Sequence, residues 1–284
     1  MKVLVLGANG MLGNAMIRVL SDNNELDVYG TVRDEAKRAL LPERILPKII
    51  DNIDVGECNL LGLFKQTRPD VVVNCVGSIN KDFKNIDSVI QAISLNALLP
   101  HRLYKYCEKF NSRLIHISTD CVFSGNKGNY KESDATDPVD AYGESKHLGE
   151  IDRPQAITLR TSIIGHELKT ARGLLEWFLS QQEACNGYAK AIFSGLPTVI
   201  LAEVIRDHVI TNTDLSGLYH IAGPAIAKYE LLKIIAKEYN KKIDINYDET
   251  LNINRSLNAD KFTEATGYVA PAWPSLIQSM HNYN

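Results

Sequence analysis

The 284-residue sequence has few cysteines, and none of its five forms a Cys-x-x-Cys pair or stands in a cluster with histidines. We therefore expect neither a disulfide framework nor a structural zinc site. Charge of one sign is not concentrated either, because the net charge is −3 at pH 7 and no block of like charges occurs. Nucleic acid is accordingly not expected as a partner, since phosphate binding needs a basic surface.

Long hydrophobic runs are also missing. No apolar stretch reaches the length of a membrane span, and the chain opens directly on a short apolar run that leaves no space for a signal peptide. We therefore expect no membrane association and a cytoplasmic location. The hydrophobic fraction of 45% is ordinary. It is enough for a sizeable core in one large domain or two closely joined ones.

A glycine-rich turn follows the first apolar run. Lys2-Val3-Leu4-Val5-Leu6 predicts a buried parallel strand, residues 14–20 predict a helix, and the glycines between them are spaced Gly-x-x-Gly-x-x-Gly. Small residues there permit a tight turn, close approach to a pyrophosphate and close helix–strand packing, while the helix N-terminus offers free N–H groups. The pattern predicts a dinucleotide site, with turn and cap glycines as the alternative. Its predicted cofactor-binding residues are Gly7, Asn9, Gly10, Met11, Leu12 and Gly13.

The end of the second predicted strand, Leu26 to Arg33, carries the residues that select between NAD and NADP. An arginine there accommodates a 2′-phosphate, whereas a carboxylate binds the ribose diol. Arg33 comes first, and Asp34 follows it in a position to cap the next helix. We therefore predict NADP(H) as the cofactor, with NAD(H) as the alternative. The other interpretation of Arg33 is a solvated surface charge.

Further cofactor contacts are predicted after the next two strands. Asp54 is predicted to meet the adenine edge and Val55 to pack on its ring, although turn chemistry explains Asp54 almost as well. The run Val71 to Gly77 predicts a strand that is buried on both faces. Its small last residues, Cys75, Val76 and Gly77, would let a cofactor lie across the strand end.

Residues 86–110 are predicted to be helical, with a kink or break at Pro100. Asn96 stands among apolar residues in this segment. A polar residue in such a position is usually satisfied within the protein, and here it could bond the backbone beside the site. We count it among the predicted cofactor-binding residues.

Tyr142 and Lys146 are four residues apart on a predicted helix and therefore share one face. A phenol, whose ordinary pKa is about 10, is a poor acid at neutral pH, but a nearby ammonium lowers that pKa. Thr119, which closely follows the predicted strand Leu114–Ile117, could hold a carbonyl oxygen against the phenol. Alone, the Tyr-x-x-x-Lys spacing is most often a surface pair. Together with the upstream dinucleotide site, it predicts a proton donor beside a hydride-transfer cofactor.

Strand–helix alternation through the sixth predicted strand, Ala156–Thr161, indicates a right-handed, doubly wound parallel sheet of the Rossmann type over residues 1–164. The pattern changes after Gly165. Residues 165–284 are therefore predicted to form mainly a smaller α/β substrate-binding subdomain. Residues 199–223 are predicted to return to the Rossmann sheet.

These segments stand in the order and rough spacing of the extended short-chain dehydrogenase/reductases, which the sequence resembles over nearly its whole length. More narrowly, it resembles the dTDP-4-dehydrorhamnose reductase group. The narrower resemblance rests on Ser118-Thr119-Asp120-Cys121-Val122-Phe123-Ser124-Gly125, Tyr142-Gly143-Glu144-Ser145-Lys146, Gly149-Glu150, Leu159-Arg160-Thr161, Tyr219-His220-Ile221-Ala222-Gly223 and Trp273-Pro274.

The resemblance implies NADPH-dependent reduction of the C4 ketone of a nucleotide-linked 4-keto-6-deoxy sugar, in surface polysaccharide biosynthesis. Tyr142 would donate a proton to the ketone oxygen, Lys146 would lower the phenol pKa and bond the nicotinamide ribose, and Thr119 would hydrogen-bond the carbonyl. Cys121 stands where the rhamnose enzymes usually carry a tyrosine that touches the sugar, so the substrate identity is open. Arg255 could bind the diphosphate, with a surface arginine as the alternative.

Several alternatives stay open. The substrate could be a UDP-linked 4-keto-6-deoxy N-acetylamino sugar. The chain could instead be an epimerase or a dehydratase that retains NAD; Asp120 fits the acidic position that follows the catalytic threonine in dehydratases. It could also be a non-catalytic NADP-binding regulatory subunit. Some relatives bind magnesium at a dimer interface, but no ligands for it could be assigned. A homodimer through residues 86–110 and 142–153 is predicted by family analogy.

Overall fold

The computed structural model describes residues 1–79, 85–168 and 173–283. The strands in these ranges, in chain order, are β1 (Lys2–Leu6), β2 (Asp27–Thr31), β3 (Ile49–Ile50), β4 (Val71–Asn74), β5 (Arg113–Ile117), β6 (Ala156–Arg160), β7 (Ile163–Ile164), β8 (Ala184–Tyr188), β9 (Ala191–Phe193), β10 (Leu196–Pro197), β11 (Gly217–His220), β12 (Ile226–Ala227), β13 (Asp244–Asp248) and β14 (Ile253–Asn254).

The helices pack on both faces of the central sheet and on the smaller sheets. They are α1 (Met11–Ser21), α2 (Glu35–Arg38), α3 (Leu60–Thr67), α4 (Ile86–Ala92), α5 (Leu99–Phe110), α6 (Ala141–Leu148), α7 (Leu174–Ser180), α8 (Thr198–Val204), α9 (Lys228–Glu238), α10 (Asp260–Thr266) and α11 (Trp273–Asn282). Short 3₁₀ turns span Glu43–Lys48 and Asp120–Val122, and turns of π-helix span Ile93–Leu98 and Ile205–Ile210. Within the described residues, no helix combines the length and the apolar character that a membrane crossing requires.

The central sheet has seven strands in the order β3-β2-β1-β4-β5-β6-β11. Every pairing in it is parallel. Alternate residues of β4 face opposite sides, because Val71 and Val73 join the core beneath α1 and α8 while Val72 joins the core beneath α3 and α5. Burial on both faces explains the uninterrupted apolar runs of the sequence. The predicted doubly wound α/β fold is confirmed.

The chain after β6 adds smaller sheets to the central one. It contains the two-stranded pairs β7–β10 and β8–β13 and the three-stranded sheet β12-β9-β14. The chain between them goes back to the central sheet, since α8 packs on α1 and β11 pairs with β6. The two parts of the chain are therefore interleaved, and the boundary after residue 164 stays a prediction.

The helical segment 86–110 continues through Pro100 without a break. Within this segment, one turn of π-helix at Ile93–Leu98 precedes Pro100, and Pro100 itself lies in the first turn of α5. Proline cannot donate the helical hydrogen bond to a carbonyl one turn earlier. A wider π turn accommodates such a defect, so the expected kink takes the form of a local change of helix type.

Candidate active site

The glycine turn brings β1 and α1 into very close contact. Gly7 has a φ of +80°, a conformation that glycine adopts without strain, and the Gly10 N–H donates to the Gly7 carbonyl at 2.9 Å. A Cβ at Gly13 would lie only 2.0 Å from the same carbonyl oxygen. No side chain caps the N-terminus of α1. Its first N–H groups therefore have no intrahelical acceptor and can bind an anion.

A cleft of about 830 Å³ lies above this turn, at the carboxyl ends of β1, β2 and β4. Such a crevice is where open α/β sheets bind dinucleotides. The predicted cofactor-binding residues that line it are Gly7, Asn9, Gly10, Arg33, Asp54, Val55, Cys75, Val76 and Gly77. The glycine turn, the free helix N-terminus and the size of the cleft fit an NAD(P) molecule.

Three residues of the predicted loop contribute to the site indirectly. Leu12 is only 5% exposed and packs in the core, so its backbone alone is available to a ligand. Gly13 acts by letting the helix approach the strand, and Met11 opens α1 with a half-buried side chain. The sequence pattern located the loop, and the contact of Leu12 with a cofactor stays a prediction.

Arg33 and Asp34 divide the two roles that the sequence left open. Asp34 caps α2, because its Oδ1 accepts the Lys37 N–H at 2.9 Å. Arg33 is exposed at the edge of the cleft. Asp54 also lines the cleft, while its Oδ1 accepts the Gly56 N–H at 3.0 Å. The turn interpretation and the ligand interpretation of Asp54 are therefore compatible.

Asn96 is fully buried and does not line the cleft. Its Oδ1 accepts the Ser78 N–H at 2.8 Å, and its Nδ2 donates to the Ser78 carbonyl at 2.7 Å and to Ser145 Oγ at 3.0 Å. Its amide is committed to protein groups, which agrees with the interpretation of Asn96 as a polar residue that bonds the backbone beside the site, and a contact between Asn96 and the cofactor stays a prediction. Asn96 also ties the loop after β4 to helix α6.

The predicted catalytic residues Thr119 and Tyr142 lie where β5 ends. Thr119 caps the turn that follows, with its Oγ1 accepting the Cys121 N–H at 3.1 Å. Helix α6 begins at a cap in which Asp140 accepts the Gly143 N–H at 2.8 Å. It then crosses so close to the turn that a Cβ at Gly143 would lie 2.2 Å from the Cys121 carbonyl oxygen. This approach brings the Tyr142 phenol close enough to the Thr119 side chain for that hydroxyl to act on the pKa of the phenol.

Lys146 lies on the same helix face and is almost fully buried. Its Nζ donates to the Ile117 carbonyl at 2.6 Å. Burial lowers the pKa of Lys146 to about 8, although Glu150 and Cys75 act in the opposite direction. The ammonium therefore loses its proton more readily than an exposed lysine does.

The phenol of Tyr142 does not have the lowered pKa that the sequence predicted. Burial raises the pKa of Tyr142, and the nearby Cys121 raises it further, while the bond with Thr119 lowers it. The prediction of a net lowering by Lys146 is wrong for the cofactor-free protein, because loss of hydration dominates at a buried phenol. Tyr142 is consequently protonated at neutral pH.

Arg255 lies beside the reacting groups. Its Nε donates to the Phe123 carbonyl at 2.8 Å, and its Nη1 lies 3.3 Å from Cys121 Sγ. Cys121 and Arg255 are both half-buried. The predicted contact between Arg255 and a diphosphate stays a prediction. The geometry brings this guanidinium to the turn that follows Thr119.

A buried ion pair that the sequence analysis did not assign supports this turn. Glu150 accepts hydrogen bonds from Ser118 Oγ at 2.7 Å and from Arg160 Nε and Nη2 at 2.8 and 2.7 Å. The Arg160 guanidinium lies 5.1 Å from the centre of the Phe123 ring. A sequence signal existed, because Arg160 ends an otherwise apolar strand and a buried charge needs a partner.

No group of three or more His, Cys, Asp or Glu side chains within residues 1–79, 85–168 and 173–283 is arranged to hold a metal ion. No step described below uses a metal.

Comparison with known proteins agrees with this geometry. The profile described as "RmlD substrate binding domain" matches residues 1–264. A dTDP-4-dehydrorhamnose reductase from Burkholderia thailandensis is 33% identical over 239 residues, which cover 78% of this chain and 73% of that protein. The methionine adenosyltransferase 2 subunit beta of Danio rerio is 30% identical over 261 residues, which cover 84% of this chain and 74% of that protein.

Solved structures share the whole fold. A dTDP-4-dehydrorhamnose reductase from Clostridium acetobutylicum has a TM-score of 0.80 at 21% identity, covering 100% of this chain and 99% of its own. The Bacillus anthracis dTDP-4-dehydrorhamnose reductase in complex with NADP has a TM-score of 0.76 at 20% identity, with the same coverage. Because the profile spans most of the sequence, the chain belongs to the RmlD substrate binding domain family, within the extended short-chain dehydrogenase/reductases.

Proposed function

We propose that this protein reduces the C4 ketone of a nucleotide-linked 4-keto-6-deoxy sugar with NADPH, in surface polysaccharide biosynthesis. The observation that supports this most is the contact between the Tyr142 phenol and the Thr119 side chain, at the carboxyl end of β5. The cleft above the glycine turn lies at the same edge of the sheet, where the strands have their carboxyl ends. Relatives named as dTDP-4-dehydrorhamnose reductases support the substrate class.

The side chains of the site divide the work of a ketone reduction. Bound NADPH would supply the hydride. Tyr142 would give its proton to the ketone oxygen, and its raised pKa means that it holds this proton at neutral pH. Lys146, anchored to the Ile117 carbonyl, would put positive charge near the phenolate that forms. Thr119 fixes the position of the phenol through their hydrogen bond.

We propose NADP(H) over NAD(H) as the cofactor. Arg33 stands exposed at the cleft edge where the ribose 2′ position is expected, and Asp34 is occupied with capping α2. A guanidinium suits a phosphate because its N–H groups match the phosphate oxygens. A reaction that consumes NADPH and a nucleotide sugar is expected in the cytoplasm. A homodimer through residues 86–110 and 142–153 stays a prediction, which light scattering would test.

A regulatory subunit is the second candidate function. One relative of 30% identity is named as a subunit of methionine adenosyltransferase, and its match covers 84% of this chain. A subunit of this kind would bind the cofactor without turnover. Thr119, Tyr142 and Lys146 are all present and assembled here, which favours the enzyme.

The deciding experiment measures NADPH oxidation with a dTDP-linked 4-keto-6-deoxy sugar and with a UDP-linked 4-keto-6-deoxy N-acetylamino sugar. We expect turnover with one of them, and Tyr142→Phe should lower kcat by at least ~10²-fold because the proton donor is lost. The affinity for NADPH should be measured with the same variant, because Tyr142 is also one of the predicted cofactor-binding residues. Tyr247→Phe is the matched control, since that tyrosine is 62% exposed and distant in the fold.

The other outcomes identify the alternatives. Tight NADPH binding, with no NADPH oxidation in the presence of either nucleotide sugar, would favour the regulatory subunit. NAD that co-purifies with the protein and returns its hydride to the substrate would favour an epimerase or dehydratase. Normal turnover by Tyr142→Phe would contradict the proposed mechanism itself.

A further inference from the structure

The side chain of Thr119 interacts with both the phenol of Tyr142 and a buried carboxylate. The phenol contacts the Thr119 side chain, and Thr119 Oγ1 lies 3.2 Å from Oδ1 of Asp120. Asp120 is 9% exposed, and it also hydrogen-bonds with Cys121. The reduction described above gives Asp120 no task, although a single hydroxyl separates it from the reacting phenol.

The protonation state of Asp120 decides the direction of these hydrogen bonds. Thr119 Oγ1 has one hydrogen and two lone pairs, and one lone pair accepts the Cys121 N–H. When Asp120 is ionised, the threonine hydrogen points to the carboxylate and the second lone pair takes the phenol hydrogen. When Asp120 is protonated, it donates to Thr119, Thr119 donates to the Tyr142 oxygen, and the phenol hydrogen is free for a substrate ketone.

The surroundings of Asp120 suit a group that exchanges a proton. Burial raises its pKa, while the positive charges of Arg255 and of Lys228 at the start of α9 oppose that rise, as do the bonds with Thr119 and Cys121. The phenol of Tyr142 on α6 is a further titratable neighbour of Asp120, and it is neutral. Asp120 therefore holds a proton more tightly than an exposed aspartate does, yet nearby cations stabilise its charged form.

We propose that Asp120 is the proton reservoir of this site and returns a proton to Tyr142 through the Thr119 hydroxyl. The inference rests on the proposed reductase function. As hydride from NADPH reaches the ketone carbon, the Tyr142 O–H bond breaks and its proton moves to the substrate oxygen. Thr119 passes its hydroxyl proton to the phenolate, and the Asp120 carboxyl passes its proton to the Thr119 oxygen. Asp120 ends as a carboxylate and regains a proton from solvent before the next turnover.

The first test needs no substrate. An infrared difference spectrum between the wild-type protein and Asp120→Asn isolates the carbonyl stretch of residue 120. We expect a carboxylic acid band that persists at pH values above the ordinary aspartate pKa of about 3.9 and disappears as the pH rises further. A spectrum with only carboxylate bands above that pH would overturn the proposal. Asp134→Asn is the control, because the bonds of Asp134 with Lys127 and Lys131 outweigh burial and lower its pKa.

The second test follows single-turnover NADPH oxidation against pH, with whichever nucleotide sugar is turned over. The wild-type rate should fall as the pH rises through the pKa of Asp120, because only the acid form supplies a proton. Asp120→Asn cannot release one, so its rate should be at least ~10-fold lower at acidic pH and should lose that pH dependence. Asp134→Asn should behave as the wild type.

Two kinetic results would overturn the reservoir. One is an Asp120→Asn variant with wild-type rates across the pH range. The other is a slower variant that keeps the wild-type pH dependence, since that result indicates a structural role alone. If the wild-type protein oxidises NADPH with neither nucleotide sugar, the proposed function fails. The infrared spectra still decide whether Asp120 holds a proton.

Discussion

The predicted cofactor cleft and the wall formed by the buried side chains around Thr119 and Glu150 are built by different means. The cleft depends on backbone and small residues, such as Gly7 with its positive φ and Gly13 against the Gly7 carbonyl. The wall depends on buried polar side chains that bind one another, such as Glu150 with Ser118 and Arg160. Backbone geometry follows from local spacing, whereas side-chain networks join residues that are far apart in the chain.

The two regions also differ in their hydration. The cleft is open, and Arg33 at its edge is exposed. In the wall, burial shifts the pKa values of Tyr142 and Asp120 upward and that of Lys146 downward. Electrostatic interactions are stronger where water is excluded. Substitutions in the wall should therefore have larger effects than substitutions in the cleft.

Glu150→Gln should have the largest effect on stability, because it leaves the Arg160 guanidinium buried without a countercharge. Arg160 has only 3% of its side chain exposed and Glu150 has 11%. Removing one partner of such a pair costs about 3–5 kcal/mol of unfolding free energy. Urea unfolding at neutral pH measures it, with the exposed Glu144→Gln on α6 as the control. A loss below about 1 kcal/mol, typical of surface pairs, would mean that the wall does not depend on this ion pair.

The same pair predicts a pH dependence of stability. Burial alone would raise the pKa of Glu150, but the bonds with Arg160, Ser118 and His147 outweigh it and lower the pKa. A carboxylate with a lowered pKa stabilises the folded state above its unfolded pKa, and this contribution is lost as the pH falls through the folded value. Wild-type stability should therefore fall on acidification more steeply than that of Glu150→Gln.

Gly13→Ala tests the backbone-built cleft and should have a smaller effect. The new Cβ would meet the Gly7 carbonyl oxygen at 2.0 Å, so strand and helix must move apart. Overpacking of this kind costs about 1–3 kcal/mol. Gly10→Ala is the control, because its Cβ would have an acceptable 3.4 Å distance from the same atom. Equal unfolding free energies for the two variants would contradict the tight crossing of β1 and α1.

Arg33→Gln should have the smallest effect, since Arg33 is exposed. A hydrogen bond to a charged group contributes about 1.5–3 kcal/mol, and solvent screening at the cleft edge should reduce this to about a tenfold loss of NADPH affinity. NADH affinity should not change. Fluorescence titration with both cofactors measures the ratio of the two affinities, with the exposed Arg44→Gln, which pairs with Asp22 and does not line the cleft, as the control. A parallel loss for both cofactors would contradict a 2′-phosphate contact.

The comparison also explains which features the sequence predicted. Gly7, Gly10 and Gly13 lie at the junction of a strand and a helix, so their spacing in that context located the cleft. The sequence marked Asn96 as a residue that could bond the backbone beside the site, but it did not identify the partners Ser78 and Ser145, which lie 18 and 49 residues away. The raised pKa of Tyr142 could not be predicted either, since it depends on how much water the assembled wall excludes.

The π turn at Ile93–Leu98 joins α4 to α5, so the number of residues in this turn matters as much as their types. Each residue advances a helix by about 100°, so loss of one residue in this turn would rotate α4 by more than a quarter of a revolution relative to α5. Asn96 would then face away from Ser78 while the residues of α5 kept their own contacts. A one-residue deletion, which leaves every side chain type in place, would thus disconnect the floor of the cleft from the helix that carries Tyr142.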